Sequence, residues 1–397
     1  VKIDVSKAEA TPGVVAVLTR EDLQNIDPYY GLAYRDRPIL AMEKVRHEGE
    51  PVVAVAADDE ATALEALASV EVEYEPLPAA LTIEEALAPG APQIHEEELR
   101  KALFYYDLKD LQPVRGTNVC HHNQYERGDI EKGMAMADHI IEGTFSLPPV
   151  NHYPLEPFVA IADFQGDYLQ LWSSAQAPFH VRQELSAIFG LPMSRVRVMV
   201  PLLGGGFGAK AYTHIEPLAA ALSMKARRPV QLALSADETF QTIARCALRC
   251  HMRTGVKRDG TLVAWEVEFY LDCGAYSSHA PRLTNPGPLW VAPYRVPHVR
   301  VKGQAVYTNT VPNGVLRGAP APFMGFPRES QMDIIAHELG IDPIELRLKN
   351  ALDAEEEFGS GSGQTGGGPL HFTGRALHFD VQAELRKVAQ ALEVPSS

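Results

Sequence analysis

The sequence predicts a fold of the mixed α+β and α/β class, in which a small α/β domain is followed by a larger one. Over roughly the first 100 residues, short β runs such as "GVVAVLT" and "PVVAVAA" alternate with helix signals such as "DDEATALEALASV". From about residue 116, longer strands such as "HIIEGTFSL" and "YLQLWSSA" are separated by helical stretches such as "PFHVRQELSAIFG". With 397 residues, of which 46% are hydrophobic, the chain is long enough for two or three domains with sizeable cores.

Composition divides the chain into four segments. Residues 1–80 carry the first α/β pattern, and because they begin at Val1 rather than at a methionine, we expect this domain to be incomplete at its N-terminus. Residues 81–115 are rich in alanine, proline and charge, which indicates a connector. Residues 116–350 form the second domain. Residues 351–397 hold the stretch "FGSGSGQTGGG", which predicts a flexible linker, and a C-terminal helix.

Two helices can be described further. The helix of the first domain is expected to begin after Asp58 or Asp59, since a carboxylate there accepts free N–H groups of the first turn. Its spacing predicts an apolar face that includes Leu64 and Leu67. The C-terminal helix carries an apolar stripe that needs a partner surface, formed by Val381, Leu385, Val388 and Leu392.

Charge and hydropathy exclude several classes of partner. A formal net charge of −15 argues against nucleic acid or an anionic membrane, because this chain would release few counterions from a phosphate backbone. No apolar run approaches the roughly 18 residues of a membrane span, and the start "VKIDVSKAEA" lacks the apolar core of a signal peptide. Four cysteines in a chain of this size favour a reducing compartment. We therefore expect a cytoplasmic protein whose partners are small molecules and other proteins.

The spacings of metal ligands are not found. Cys246 and Cys250 have no second cysteine pair to complete a four-ligand site, so buried or free thiols are expected. His337-Glu338 lacks the second histidine that a zinc-protease helix requires, since that position is Ile341. No side chain is therefore predicted to bind a metal directly.

The stretch "VPLLGGGFGAK", residues 200–210, has the strongest ligand-binding pattern in the chain. Glycines let backbone N–H groups approach a ligand without a Cβ in the way, and the predicted helix "YTHIEPLAAALSMKA" is expected to add its positive N-terminal end. An electron-rich or anionic ligand is therefore expected. A Walker loop is excluded because Lys210 is followed by Ala211 rather than by serine or threonine.

A nicotinamide-dependent dehydrogenase is one alternative for this stretch. Gly204, Gly206 and Ala209 satisfy the pattern G-x-G-x-x-A after the strand "VRVMV". The acidic residue expected about 20 positions further on is Asp237, some 28 residues later, so the match is loose. A non-catalytic scaffold is the other alternative.

Several segments together resemble one protein family. "HYPLEP", "LWSSAQAPFHVRQELSAIFGLPMSRVRVMVPLLGGGFGAK" and "NGVLRGAPAPFMGFPRESQMDIIAHELGIDPIELRLKN" are similar, in the right order, to the molybdopterin-binding large subunit of the xanthine dehydrogenase and aldehyde oxidase family. "TPGVVAVLTREDL" and "RHEGEPVVAVAADDEATALEALASVEVEYEPLPA" resemble that family's α/β hammerhead domain. The resemblance implies a hammerhead domain in residues 1–80 and a mixed-sheet first molybdopterin-binding domain in residues 116–350.

The resemblance also implies a chemistry. Members of the family use a molybdenum–molybdopterin cofactor to hydroxylate an aldehyde carbon or an electron-poor ring carbon, with water as the oxygen source. Gly205, Gly206, Phe207 and Gly208 would wrap the oxo face of the metal, with the Phe207 ring bounding the substrate cavity. Gln176, in "SSAQAP", would donate to the apical oxo group, a task that suits a carboxamide because it donates without adding charge.

A second loop belongs to the implied site. Arg317 and Gly318, in "VLRGAPAP", match the loop that closes against the pterin and the substrate, so Gln176, Phe207 and Arg317 are the expected catalytic residues. Ala319 stands where the family often has phenylalanine, which argues against a purine held between two rings. His152 and Glu156, in "HYPLEP", are expected to form a buried structural pair.

The resemblance finally implies partner chains. This sequence ends after about the first cofactor-binding domain, so the general base and most pterin contacts are expected on a second molybdopterin-binding half. The cofactor would be shared with that half, with a cytosine dinucleotide as one form of the pterin. An iron–sulfur subunit with 2Fe-2S clusters and an FAD subunit are expected to accept the electrons. The connector and the C-terminal stripe are the expected partner contacts, and the substrate itself is left open.

Overall fold

The computed structural model describes residues 2–102, 111–285, 287–352, 362–365, 368–371 and 381–391. The first domain and the connector contain β1 (Lys2–Asp4), α1 (Ser6–Ala10), β2 (Val14–Leu18), β3 (Tyr29–Tyr30), β4 (Arg37–Pro38), β5 (Ala54–Ala57), α2 (Glu60–Ala68), β6 (Glu71–Glu73) and α3 (Ile83–Leu87).

The larger domain contains β7 (Val119–Arg127), α4 (Ile130–Met136), β8 (His139–Leu147), β9 (Val150–Asn151), β10 (Val159–Gln165), β11 (Tyr168–Ser173), α5 (Pro178–Ile188), β12 (Val196–Met199), α6 (Glu216–Ala226), β13 (Val230–Ala233), α7 (Ala236–Phe240), β14 (Ala244–Arg245), β15 (Leu248–Val256), β16 (Leu262–Gly274), α8 (Ala280–Leu283), β17 (His298–Tyr307), β18 (Asn313–Gly314), α9 (Ala321–Leu339) and α10 (Pro343–Asn350). After these follow β19 (Ser362–Thr365), β20 (Gly368–His371) and α11 (Val381–Ala391).

The first domain is built from short antiparallel pairs, β1 with β6 and β2 with β5. Its helix α2 is capped by Asp59, which accepts the N–H of Thr62 at 2.9 Å, as one of the two expected caps. The predicted apolar face is wrong, because Leu64 is 59% exposed and Leu67 is 40% exposed. Ala66 is buried instead, in a small cluster with side chains of β2 and α1. A methyl group lets the helix approach the strands closely, and the leucines remain outside.

The larger domain confirms the mixed fold class. Its main sheet has the order β20-β19-β7-β17-β16-β15-β8, in which β16 and β17 are parallel and the other neighbours are antiparallel. A second sheet has the order β12-β11-β10-β13, with only β11 and β12 parallel. A third, small sheet joins β18, β14 and β9. The candidate site lies where the second and third sheets meet.

Helix α6 joins the two domains. It is buried from Glu216 through Ser223, and its apolar residues contact the second sheet on one side and the first domain on the other. A helix that is buried all round is typical of the interior of a large protein. The hydrophobic contact across α6 therefore fixes the first domain against the domain that carries the glycine-rich stretch.

Two predicted connecting segments are more structured than expected. In the connector, Ile83, Ala86 and Ile94 are buried in the core of the larger domain, so these side chains are not available to a partner. Part of the predicted flexible linker is a hairpin, because β19 and β20 extend the main sheet beside β7. Backbone hydrogen bonds to an edge strand need no side chain, which is why composition did not reveal this pairing. The rest of that glycine and serine stretch lies outside the described residues.

Other expectations concern individual side chains. All four cysteines are free and buried, as expected. The helix α11 lies beside Ala351, whose carbonyl accepts from the side chain of Gln382 at 3.3 Å. In the predicted apolar stripe, Val388 is 53% exposed, and Leu392 lies outside the described residues. No helix in the described part of the chain combines the length and the apolarity needed to cross a membrane.

Candidate functional site

The glycine loop, residues 200–208, connects β12 to a single 3-10 turn formed by Ala209–Ala211. Its backbone turns sharply: φ is +98° at Gly205, +54° at Phe207 and +107° at Gly208. The expected helix does not follow directly, because α6 begins only at Glu216. The prediction that a helix N-terminus contributes positive charge to this loop is therefore wrong. Whatever the loop binds must be bound by its own N–H groups and by neighbouring side chains.

Gln176 lies beside this loop, between β11 and α5. Its backbone N–H donates to the carbonyl of Lys210 at 2.7 Å, and its side-chain Oε1 accepts the N–H of Gly208 at 3.0 Å. The side chain is exposed. Because Gly208 occupies the carbonyl end of the carboxamide, the Nε2 end is the one left to donate to a ligand.

The glycines are required by close contacts. A Cβ on Gly206 would lie 2.4 Å from Oε1 of Gln176, and a Cβ on Gly208 would lie 2.5 Å from the carbonyl oxygen of Val315. Both distances are far shorter than a normal van der Waals contact. The ring of Phe207 folds back over the loop, since a Cβ on Gly205 would lie 3.2 Å from its Cε2 atom. The ring is 44% exposed, so it forms a wall with one open side.

The structure brings the second predicted loop to the same place. The N–H of Arg317 donates to the carbonyl of Phe207 at 2.8 Å, although the two residues are 110 positions apart. The Arg317 side chain is exposed and has no carboxylate partner among the described residues. Gly318 turns the chain away with φ +82°. Gln176, Phe207 and Arg317 therefore share one surface; Gly205, Gly208 and Gly318 are at least partly exposed, whereas Gly206 is buried.

His152 supports this arrangement without facing it. Its Nε2 atom lies 2.6 Å from the carbonyl oxygen of Val315, and the N–H of Val315 donates to the hydroxyl of Tyr212 at 2.8 Å. Burial lowers the pKa of His152, so the ring is neutral and donates from Nε2. These bonds fix the strand that leads to Arg317.

The expected pair of His152 with Glu156 is wrong. Glu156 binds Lys210 instead: its Oε2 atom lies 2.7 Å from Nζ of Lys210 and accepts the N–H of Gly204 at 2.9 Å. Burial opposes ionisation of Glu156, but the bonds from Lys210 and Gly204 outweigh it and lower the pKa of the carboxyl. Sequence reasoning missed the role of Lys210, whose only signal was its position two residues after the last glycine of the loop.

A second polar cluster, the domain junction, lies behind the loop and consists of Tyr30, Gly31, Arg37, Glu184 and His214. Nη1 of Arg37 lies 3.0 Å from Nδ1 of His214, and the hydroxyl of Tyr30 donates to the His214 carbonyl at 2.8 Å. Burial lowers the pKa of His214, so the neutral ring accepts from Arg37.

The domain junction also contacts the end of the glycine loop. Nε2 of His214 lies 2.8 Å from the carbonyl oxygen of Ala209, and the N–H of Gly31 donates to Glu184 at 3.0 Å. Burial raises the pKa of Glu184 to about 7. None of these residues was predicted from the sequence, since each has its partners far away in the chain.

Several hydrogen-bond donors are left free around the loop. The N–H groups of Gly205, Gly206 and Phe207 donate to no other residue within the described ranges. Nε2 of Gln176 and the guanidinium of Arg317 add donors on side chains. Such a set stabilises an electron-rich or anionic group, and it offers no carboxylate or imidazole that could bind a metal or move a proton.

The nicotinamide alternative does not fit this geometry. A dinucleotide fold has a parallel sheet, with the glycine turn leading straight into a helix. Here β12 is parallel only to β11, while β10 and β13 run antiparallel in the same sheet, and α6 begins several residues after the loop. The match of Gly204, Gly206 and Ala209 to the dinucleotide pattern is therefore incidental.

Comparisons with known families match two long segments of the chain. The family described as "Molybdopterin cofactor-binding domain" matches residues 111–351. The family described as "Aldehyde oxidase and xanthine dehydrogenase, a/b hammerhead domain" matches residues 1–78.

Named relatives agree with these matches. The chain is 32% identical to the nicotinate dehydrogenase large molybdopterin subunit of Eubacterium barkeri, over 91% of this chain and 81% of that protein. It is 34% identical to a putative xanthine dehydrogenase molybdenum-binding subunit of Escherichia coli K12, over 88% of this chain and 46% of that protein. The solved structure of aldehyde oxidoreductase from Desulfovibrio gigas superposes with a TM-score of 0.84 at 29% identity, over 99% of this chain and 41% of that chain. Apart from the first, these relatives are about twice as long as the present chain.

Proposed function

This chain belongs to the molybdopterin-binding xanthine dehydrogenase and aldehyde oxidase family, whose named relatives are oxidoreductases, and we propose that it is one half of a molybdenum hydroxylase large subunit. The reaction would be the oxidation of an aldehyde or an N-heterocycle, with water as the oxygen source. The observation that carries the proposal is the orientation of Gln176, whose Nε2 is left free beside the unpaired N–H groups of the loop.

The donor set fits the implied cofactor. Molybdopterin, when bound, supplies a molybdenum centre that takes two electrons from the substrate carbon. Nε2 of Gln176 and the N–H groups of Gly205, Gly206 and Phe207 would donate to the electron-rich face of that centre. Cβ atoms are excluded by contact at Gly206 and Gly208, which lets the loop pack closely against Gln176 and Val315.

The remaining predicted residues would handle the substrate. The half-exposed ring of Phe207 would bound the cavity, and Arg317 with Gly318 would close it from the other side. Ala319 packs partly against the core of the larger domain and offers no ring to stack on a flat substrate. An aldehyde or a small heterocycle therefore suits this site better than a purine held between two rings.

Partner chains complete the proposed enzyme. Large apolar side chains are exposed next to the loop residues: Leu155 is 95%, Leu202 is 83% and Phe179 is 76% exposed. Surfaces of this kind are typical of protein contacts. A second molybdopterin-binding half would cover them, supply the general base and most pterin contacts, and share the cofactor, with a cytosine dinucleotide as one form. Subunits with 2Fe-2S clusters and FAD would accept the electrons.

The proposed segments and location follow the same argument. We place the hammerhead domain at residues 1–80, the connector at 81–115, the first cofactor-binding domain at 116–350 and the C-terminal segment at 351–397. The buried free cysteines favour a reducing compartment such as the cytoplasm.

The test is purification of the complex from its native host through a tag on this chain, followed by metal analysis, pterin analysis and turnover assays with an aldehyde and with nicotinate. About one molybdenum per complex, together with turnover that the isolated chain lacks, is the expected result. Bound nicotinamide without molybdenum would support a dehydrogenase. A complex with neither cofactor would make the chain a scaffold. Turnover by the isolated chain would contradict the split site.

A further inference from the structure

Lys210 is one of the largest fully buried side chains of the protein, with 1% exposure. Its Nζ atom donates to the carbonyl of Glu156 at 2.8 Å and to Oε2 of the same residue at 2.7 Å, and it lies 5.9 Å from the centre of the Phe158 ring. A buried ammonium group is tolerated only when it is paired and hydrogen-bonded. Glu156 provides both of these partners for Lys210.

Glu156 at the same time binds the other end of the glycine motif. Its Oε2 accepts the N–H of Gly204, and its own N–H donates to the Gly204 carbonyl at 3.2 Å. Glycine is needed there, because a Cβ on Gly204 would lie 2.5 Å from Cβ of Glu156. Gly204 and Lys210 are the first and last residues of "GGGFGAK", so a single glutamate closes this segment into a ring.

The ring also sets the position of Gln176. The carbonyl of Lys210 accepts the backbone N–H of Gln176, and Gly208, inside the ring, donates to its Oε1. A change in the separation of Gly204 and Lys210 therefore shifts the free N–H groups and the carboxamide together.

We propose that Lys210 and Glu156 are a positioning pair, which holds the donors of the loop and of Gln176 in one fixed arrangement without touching the ligand. The inference rests on the proposed function for the identity of that ligand, but the arrangement itself can be measured without any cofactor. Breaking a buried ion pair by removing one partner leaves the other charge uncompensated, so a large local effect is expected.

The experiment compares Lys210→Met with Lys225→Met in the full chain. Lys225 is a matched control, because its Nζ also donates to one carbonyl, that of Val17, and to one carboxylate, that of Asp22, both at 2.6 Å. Hydrogen exchange is followed at the amides of Gly204 and Gly208. In Lys210→Met we expect exchange at both amides to accelerate about tenfold, whereas Lys225→Met leaves them unchanged. Equal exchange in the wild type and Lys210→Met, or equal acceleration in both variants, would overturn the proposal.

A second variant covers the case in which Lys210→Met does not fold. Glu156→Gln keeps an acceptor for the N–H of Gly204 and removes only the charge, at a side chain that is 31% exposed. Faster exchange at Gly208 is expected. In a chain that already carries Lys210→Met, adding Glu156→Gln should accelerate this exchange little further, because the pair is already broken. Unchanged exchange at Gly208 in a folded Glu156→Gln chain would count against the pair.

Retention of the cofactor links the pair to the proposed function. In the complex from the native host, both variants should lose molybdenum about tenfold faster than the wild type during gel filtration, and Lys225→Met should not. Full retention in Lys210→Met would contradict the positioning role. If loop exchange responds as expected but the wild-type complex holds no molybdopterin, the positioning pair stands and the proposed function fails.

Discussion

The glycine loop and the domain junction are adjacent polar clusters that use their hydrogen-bonding groups in opposite ways. At the junction, the buried side chains of His214 and Glu184 are each bonded across the two domains, His214 to the half-buried Arg37 and Glu184 to the N–H of Gly31. At the loop, the N–H of Gly205 and Nε2 of Gln176 donate to no residue within the described ranges, and neither residue is buried. One cluster joins two domains, and the other has donors that the proposed ligand would use.

The difference shows that shifted titration does not mark the candidate site in this protein. The pKa of Glu184 rises to about 7 and that of His214 falls, both because of burial, yet both residues face the interior. Functional sites often contain such groups, but structural networks perturb them as well. A search for shifted pKa values would select the junction, whereas a search for unpaired donors selects the loop.

The largest expected effect concerns the domain junction and is a dependence of the free energy of unfolding on pH. The folded-state pKa of Glu184, about 7, lies above the ordinary value near 4.5, so its contribution is fully present below pH 4.5 and is lost as pH rises through 7. Between pH 5 and pH 8 the free energy of unfolding should fall by on the order of 3 kcal/mol from this group. Glu184→Gln, which keeps an acceptor for Gly31, should remove that fall.

Denaturant unfolding of both chains at pH 5, 6.5 and 8 measures this effect as a difference. The subtraction is needed because buried histidines act in the opposite direction: burial lowers the pKa of His47 to about 4, and its contribution is lost as pH falls below 6.5. If the free energy of unfolding changed with pH in the same way in the wild type and in Glu184→Gln, Glu184 would be solvated in solution. The junction would then not differ from the loop in the burial of its titratable groups.

The next effect tests the loop side and concerns turnover. Gln176→Ala should lower kcat by on the order of 10², the lower part of the range for losing one preorganised donor, because the N–H groups of the loop remain. Gln176→Glu should be worse, since an ionised carboxylate cannot donate and would also repel an electron-rich centre. Rates per molybdenum in the assembled complex are compared, with the exposed Gln165→Ala as the control. Equal activity of the wild type and Gln176→Ala would make Gln176 a structural residue.

The smallest effect concerns the wall of the site. Phe207→Ala should raise KM roughly five- to tenfold by loosening substrate orientation, with a smaller change in kcat. Phe240→Ala is a suitable control, because that ring is equally exposed, at 45%, but stacks on Tyr153. Loss of molybdenum from Phe207→Ala, with Phe240→Ala intact, would assign the ring to cofactor support instead.

The sequence predicted local features better than contacts between distant residues. Asp59 was an expected cap because an N-cap bond spans only three residues. The burial of Ala66 instead of Leu64 depends on which face the strands cover, and helical spacing does not carry that information. The fold class and the residues of the glycine loop could also be predicted, because they depend on motifs of neighbouring residues, as the Asp59 cap does.

The supports of the site could not be found in this way. Lys210 and Glu156 are 54 positions apart, and Arg37 and His214 are 177 apart. Each partner is unremarkable in its own segment, so only the folded chain shows the pair. Tyr212, just before α6, likewise accepts the N–H of Val315 with its hydroxyl, a contact that local spacing does not reveal.

The left-handed backbone of Phe207 has a consequence for selection experiments. An aromatic residue at φ +54° is strained by about 1–3 kcal/mol, whereas glycine adopts that conformation freely. A library randomised at this position and sorted for thermal resistance should therefore enrich glycine. The same library sorted for product formation should enrich rings. The two screens should select different residues at position 207, so a variant stabilised there would lack the side chain that we propose bounds the cavity.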